Sequence, residues 1–259
     1  MFQTIEVESK NQVTTIWLNR PDVRNAFNDV MIQELHTAFE ELANDEQLRL
    51  VVLRGRGNTF CSGADLNWMR KVVDYDYEKN VMDGLAFAKC LSVIFHFPRP
   101  VIALVQNSVI GGGNGLLAVS DISIASRKTI FSFSEVSIGL VPAVISPYII
   151  KRIGQTKARE WMLTGERFTA QEAEKYGLVN MVLDDNDLEP MLDSIISRIL
   201  QNSPLSLLKT KEVLNNLSTI SDEESMMRYT AKVIAHARIS KEGQEGMTAF
   251  LEKRKPVWK

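Results

Sequence analysis

Apolar and polar positions alternate over residues 4–18 around the turn candidates Ser9, Lys10, Asn11 and Gln12, with Val13, Ile16 and Leu18 as β-formers, which predicts a hairpin. Asn28 then stands as a candidate N-cap before apolar residues at helical offsets, Met31, Leu35, Ala38, Phe39 and Leu42, predicting a helix over 29–43. Residues 48–53 and 101–105 are near-continuous apolar runs, the pattern of strands buried on both faces. A polar helical stretch over about 67–95 lies between them and is closed by Phe97-Pro98-Arg99-Pro100, because a residue before proline is pushed out of the α region. Further strands are expected at 122–125, 130–133 and 179–183, with short helices at 145–153, 157–163 and 170–176. This alternation predicts an α/β fold with largely parallel pairing. Beyond residue 187 the pattern is helical, over 188–200, 204–215 and 222–239, so we expect a core over 1–200 and a helical region over 201–259. Met226, Met227, Tyr229, Val233 and Ile234 make the last of these helices apolar enough to suggest packing against the core or a partner subunit.

Composition narrows the function. The 259 residues carry 30 Lys+Arg against 32 Asp+Glu, a net charge of −2, which gives no global footprint for nucleic acid. Cys61 and Cys90 cannot build a disulfide framework, and their separation is not that of a zinc site. His36, His96 and His236 share no metal-ligand spacing, so no metal is expected. No apolar run approaches the roughly 20 residues of a membrane span, and the polar start shows no signal-peptide pattern, so a cytoplasmic protein is expected.

Candidate chemistry gathers at Gly111, Gly112, Gly113 and Gly115, interrupted by Asn114. Each glycine costs a helix about 1 kcal/mol against alanine, so the cluster serves either close packing or bare N–H groups aimed at an anion or a developing oxyanion. Gly113-x-Gly115-x-x-Ala118 also matches a dinucleotide fingerprint, but too few residues separate Leu116 from the next strand to hold a crossover helix. Phe60-Cys61-Ser62-Gly63-Ala64-Asp65-Leu66 closes the loop after the earlier buried strand, with Asp65 placed to cap a helix near Asn67.

Taken together with Arg20-Pro21, Asn25-Ala26, Ile110 to Gly113, Phe133-Ser134-Glu135, Gly139-Leu140, Pro142, Leu163-Thr164-Gly165, Ala173, Gly177-Leu178-Val179 and the terminal Gly246-Met247 to Arg254, the chain resembles the crotonase superfamily of enoyl-CoA hydratases and isomerases. The resemblance covers essentially the whole length. It implies a spiral of ββα repeats, a helical C-terminal region that builds homotrimers or dimers of trimers, and an acyl-CoA thioester substrate with no further cofactor. It also implies that the Ala64 and Gly112 amides hold the thioester oxygen, with Glu135 as acid/base. Arg24, Ala26, Ser62, Asp65, Leu66, Trp68, Gly111 and Pro142 would contact substrate or CoA, and Lys253, in the run Lys253-Arg254-Lys255, would reach CoA, often on a neighbouring subunit.

One departure matters. Similar hydratases carry two glutamates, one two residues after the glycine triplet, where this chain has Gly115. Glu135 remains as the acid/base, as in single-glutamate Δ3-Δ2 isomerases, and Gly115 also leaves open a catalytically silent acyl-CoA-binding oligomer that keeps the fold. Residues 65–69 and 139–148 nevertheless look most like hydratases of methylglutaconyl-CoA and carboxygeranoyl-CoA, in leucine and terpenoid catabolism. A branched or carboxylated 2-enoyl-CoA is therefore the expected substrate. Ser134, Asn114 and Asn67 are polar groups placed to help position water or to serve the fold.

Overall fold

The computed structural model describes residues 2–258; Met1, where the polar start of the chain begins, lies outside them. β1 (Ile5–Lys10) and β2 (Val13–Leu18) form the expected antiparallel hairpin. Asn11 and Gln12 turn it at φ 51° and 68°, the left-handed region that a two-residue hairpin turn requires. α1 (Asp29–Ala43) starts where Asn28 Oδ1 accepts the Met31 amide at 2.9 Å, and buries Met31, Ile32, Leu35, Ala38 and Phe39. β3 runs over Leu50–Gly55, two residues later than the apolar run at 48–53 suggests, because Leu48 belongs to the turn before it.

The helical stretch over 67–95 is two helices, α2 (Leu66–Val72) and α3 (Tyr77–Phe95). Asp76 breaks the run by accepting the Lys79 amide at 2.8 Å, an aspartate competing with the helix for backbone donors. β4 (Val101–Val105), β5 (Ser108–Ile110), α4 (Gly113–Ala118), β6 (Ile122–Ser126) and β7 (Ile130–Ser132) follow. α5 (Ser146–Thr164) holds both helices expected at 145–153 and 157–163, with Gly154 at φ 71° as the kink between them. β8 (Arg167–Thr169), α6 (Ala170–Lys175), β9 (Met181–Leu183), α7 (Leu188–Leu200), α8 (Pro204–Leu217), α9 (Glu223–Ile239) and α10 (Lys241–Leu251) complete the chain.

The six-stranded sheet has the order β1-β2-β3-β4-β6-β9, parallel throughout except for the hairpin. Its central strands are apolar without alternation because both faces are covered. Val51, Leu53, Val101, Ala103, Val105 and Ala125 point into the main core with α1 and α3. Their neighbours Leu50, Val52, Ile102, Leu104 and Ile124 meet Leu188, Leu192, Ile195 and Ile199 of α7 on the opposite face. The smaller sheet, β5-β7-β8, pairs β5 with β7 in parallel and β7 with β8 antiparallel. No helix among the described residues is long and apolar enough to cross a membrane.

Candidate active site

Parallel pairing decides where the loops go. β3 and β4 are adjacent and parallel, so the chain leaves both at the same edge of the sheet, where sites form in open α/β sheets. Beyond that edge a parallel bridge between Cys61 and Val109 stitches the two loops: the Cys61 amide donates to Ser108 O at 3.2 Å and the Ile110 amide to Cys61 O at 3.1 Å. Ala64 and Gly112 each stand three residues past this bridged pair, one on each of the two loops. β5 in turn pairs with β7, Ile110 opposite Ser132, and Glu135 stands three residues past Ser132. Ala64, Gly112 and Glu135 thus each stand three residues beyond a paired position, and the Glu135 carboxyl lies against Gly111, next to Gly112.

Both amides are free of acceptors among the described residues. Ala64 bridges Phe27 in parallel, and it is Gly63 O and the Asp65 amide that bond to Phe27, each at 2.9 Å. Ala64 N–H therefore points the other way, as the alternation of a parallel ladder requires. Gly112 precedes α4, and the first amides of a helix have no acceptor within it. Gly112 also has to be glycine: a Cβ there would stand 2.5 Å from Phe27 Cζ and 3.2 Å from Phe87 Cε1. Phe27 is held in place by stacking on Phe87 (centroids 5.0 Å apart) and by an edge contact with Trp68 at 5.6 Å.

Glu135 sits in a 3-10 turn, Ser134–Ile138, that Gly139 ends at φ 76°. Its Oε1 comes within 3.3 Å of where a Cβ on Gly111 would be, and Gly111 itself adopts φ 52°. Glu135 Oε2 is buried without a hydrogen-bond partner. Burial raises the pKa of this carboxyl above its ordinary value, against a smaller downward pull from its own backbone amide. A carboxylate so placed is a strengthened base. The space that a side chain at 115 would take is filled: a Cβ on Gly115 would meet Ile145 Cγ2 at 2.5 Å and Leu91 Cδ1 at 3.2 Å. Both residues are buried, so the position of the second glutamate in similar hydratases is apolar here.

The other candidates divide. Arg24 O accepts the Ser62 amide at 3.1 Å, which lays the 24–26 segment along the Ser62–Asp65 loop. Asp65 carries a structural load: its Oδ1 accepts the Asn67 amide at 2.7 Å and the Trp68 amide at 3.0 Å, capping α2, while Oδ2 pairs with Arg20 at 2.7 Å. Burial works to raise the Asp65 pKa, but these partners outweigh it and hold the carboxyl below its ordinary value. Leu66 is exposed, Trp68 buried and Pro142 half-buried. Trp68 Nε1 is buried without a hydrogen-bond partner. Lys253 is exposed at the end of α10, which packs against α9 and α8, and no hydrogen bond or ion pair joins it to Ala64, Gly112 or Glu135 among the described residues. Asn114 donates only to main-chain carbonyls. Burial pushes the Cys61 thiol up to about 11 and that of Cys90 to about 12, so neither is a thiolate at neutral pH.

Contacts across the chain add Phe27 and Phe87 behind Gly112 and Leu91 over Gly115, which no local pattern marked, and give structural roles to Ile145 and Asn25, which lie in the motifs already singled out. Asn25 Nδ2 donates to Arg56 O at 2.9 Å and Thr59 O at 2.6 Å, pinning the loop that carries Cys61. Removing the Arg20 cation leaves the buried Asp65 carboxylate unpaired. Arg20→Ala is expected to destabilise the fold by about 1–3 kcal/mol in chemical denaturation, less than for a fully buried pair because Arg20 keeps contact with water. Because the Asp65 pKa is depressed in the fold, the stabilisation is present above its unfolded pKa and is lost as pH falls through the folded one.

The family model described as enoyl-CoA hydratase/isomerase matches residues 8–259. The chain belongs to the enoyl-CoA hydratase/isomerase family. As a family member it is an α/β enzyme of crotonase-like fold. It is similar to the crystal structure of an enoyl-CoA hydratase from Shewanella pealeana, with a TM-score of 0.96, 40% identity and coverage of 99% of this chain and 96% of the other. A short-chain-enoyl-CoA hydratase from Clostridium acetobutylicum is 28% identical, covering 98% of this chain and 97% of its own. A trans-2-decenoyl-[acyl-carrier-protein] isomerase from Streptococcus mutans is 29% identical with the same coverage of both chains, so the family member described here has relatives on both sides of the hydration and isomerisation divide.

Proposed function

We propose that the protein is a hydratase that adds water across the 2,3 double bond of an enoyl-CoA thioester. What supports this reading is the pair of acceptor-free amides, Ala64 and Gly112, on the two loops bridged at Cys61 and Val109, with a buried carboxylate, Glu135, that has an unpartnered oxygen and lies against Gly111. As a water oxygen bonds to C3, the electron pair of the double bond moves toward the thioester, whose oxygen gains negative charge. The two amides donate to that oxygen, each worth roughly 3–4 kcal/mol in the transition state. Glu135 takes a proton from the attacking water and returns it to C2 as the enolate collapses, so one carboxyl ends the cycle as it began. A base that takes and returns a proton works best with its pKa near the operating pH, the direction in which burial moves Glu135.

Gly115 favours a second reading, Δ3-Δ2 isomerisation. With Ile145 and Leu91 where a second carboxylate would lie, Glu135 would take a proton from C2 and return it at C4 with no water involved. In both readings CoA is part of the substrate and no further cofactor takes part. The resemblance of residues 65–69 and 139–148 supports a branched or carboxylated acyl group such as 3-methylglutaconyl-CoA. Arg24 and, from a neighbouring subunit of a homotrimer or dimer of trimers, Lys253 would meet the CoA phosphates. Incubation with 2-enoyl-CoA and 3-enoyl-CoA in ¹⁸O-water separates the readings. Labelled 3-hydroxyacyl-CoA from the 2-enoyl substrate supports hydration; unlabelled double-bond migration supports isomerisation; thioester binding with neither product sinks both.

A further inference from the structure

Asn114 joins the two halves of the site. It is fully buried, and its Nδ2 donates to Val109 O at 3.2 Å, Gly111 O at 3.1 Å and Ser132 O at 2.9 Å. Val109 and Gly111 belong to the segment that ends in Gly112, whereas Ser132 ends β7 and leads to Glu135. Ser132 O also accepts the Gly111 amide at 2.9 Å, so this carbonyl is the junction between the oxyanion segment and the carboxylate segment. Two N–H hydrogens serve three carbonyls, and at least one of them is shared. Turning the amide over would aim Oδ1 at three carbonyl oxygens, an arrangement of acceptors against acceptors, so the observed orientation is the one the surroundings select. In it, Oδ1 is left buried without a partner, and the hydrogen bonds of the side chain all come from its donor end.

We propose that Asn114 is a positioning residue, whose buried amide sets the spacing between the Gly112 oxyanion donor and the Glu135 carboxylate. The inference rests on the roles given above to those two groups. Charge on the thioester oxygen and proton transfer at the neighbouring carbon develop in one transition state, so an error in the spacing is felt there more than in binding. A misplacement on the order of 1 Å costs about 10²-fold in rate. The last backbone tie between the two segments is the Gly111 amide to Ser132 O, and the Asn114 side chain adds ties at the same junction. Asn114 acts where the backbone ladder stops.

The test is a double-mutant cycle. Asn114→Ala is expected to lower kcat by about 10–100-fold with KM little changed. Placed in a Glu135→Gln background, the same change is expected to lower the residual rate by less than about threefold, because the base it positions is already gone. A kcat within about twofold of the unmodified enzyme, or a loss that is undiminished beside Glu135→Gln, would overturn the proposal. Asn114→Ser keeps one donor and is expected to fall between the two; if Asn114→Ala does not fold, a Ser variant with full kcat overturns the proposal in its place. A second readout needs no turnover: the carboxyl titration of Glu135, followed by ¹³C NMR and assigned by its absence in Glu135→Gln, is expected to move toward the ordinary carboxyl range in Asn114→Ala or Asn114→Ser. An unmoved titration speaks against positioning. An unmodified enzyme inert on every enoyl-CoA would instead refute the proposed reaction, with the titration still deciding the role of Asn114.

Discussion

Glu135→Gln is expected to lower turnover by about 10²–10⁴ while thioester binding is retained. The amide is nearly isosteric, so the Ala64 and Gly112 donors and the contact over Gly111 persist, and only the capacity to take a proton is removed. Steady-state turnover together with calorimetric titration of a non-reactive acyl-CoA checks both halves; unchanged turnover would falsify the role of Glu135. The same substitution has a consequence for stability, in the opposite direction. The carboxyl of Glu135 has its pKa raised in the fold, so its contribution is fully present below the unfolded pKa and is lost as pH rises through the folded one. A neutral Gln escapes that loss. The variant is expected to have a higher Tm than the unmodified protein at neutral pH, with the difference fading in acid below the ordinary carboxyl range.

Gly112→Ala carries the second large effect. Its Cβ would stand 2.5 Å from Phe27 Cζ and 2.7 Å from Phe27 Cε1. Phe27 is 5% exposed and stacked on Phe87, so the ring has no open space into which it can swing. The main chain at 112 must therefore move, taking its amide off the line to the thioester oxygen. Loss of one oxyanion donor is worth about 10²–10³ in kcat, and overpacking costs about 1–3 kcal/mol of stability. Gly84→Ala is the control: nothing lies within 4 Å of a Cβ there, and the site is inside α3. That variant should be stabilised by roughly 0.5–1 kcal/mol with activity unchanged. If Gly112→Ala and Gly84→Ala behave alike, the oxyanion role of Gly112 is lost.

The strands β3 and β4 are legible in the chain because both of their faces are buried, which turns alternation into unbroken apolar runs. α1 and α7 are legible for a related reason, since each buries one stripe at helical spacing. β5 and β8 escape a reading by pattern because each has three residues with only the middle one buried, too short for any period to show. α10 escapes it because Gly243 and Gly246 lie inside a helix whose residues are mostly exposed. The division of 67–95 into α2 and α3 falls in Val72-Val73-Asp74-Tyr75-Asp76-Tyr77, a stretch of weak helix formers, where Asp76 caps α3.

In the site, the glycine cluster stands out by composition, whereas the Cys61–Asp65 loop, an ordinary turn by itself, and Glu135, one of 32 acidic residues, are marked only by the resemblance to the crotonase superfamily. Sequence alone thus determines which groups are available for the chemistry, and the apolar periodicity determines the layers that carry them. Tertiary structure alone decides that Phe27 excludes a side chain at 112, that Ile145 and Leu91 make the surroundings of Gly115 apolar, and that Asn114 ties Gly111 to Ser132. Each of these is a contact between segments far apart in the chain, brought together by strand pairing or by helix packing. Strand pairing and helix packing fix such distances, and both depend on segments that a local stretch of sequence does not contain.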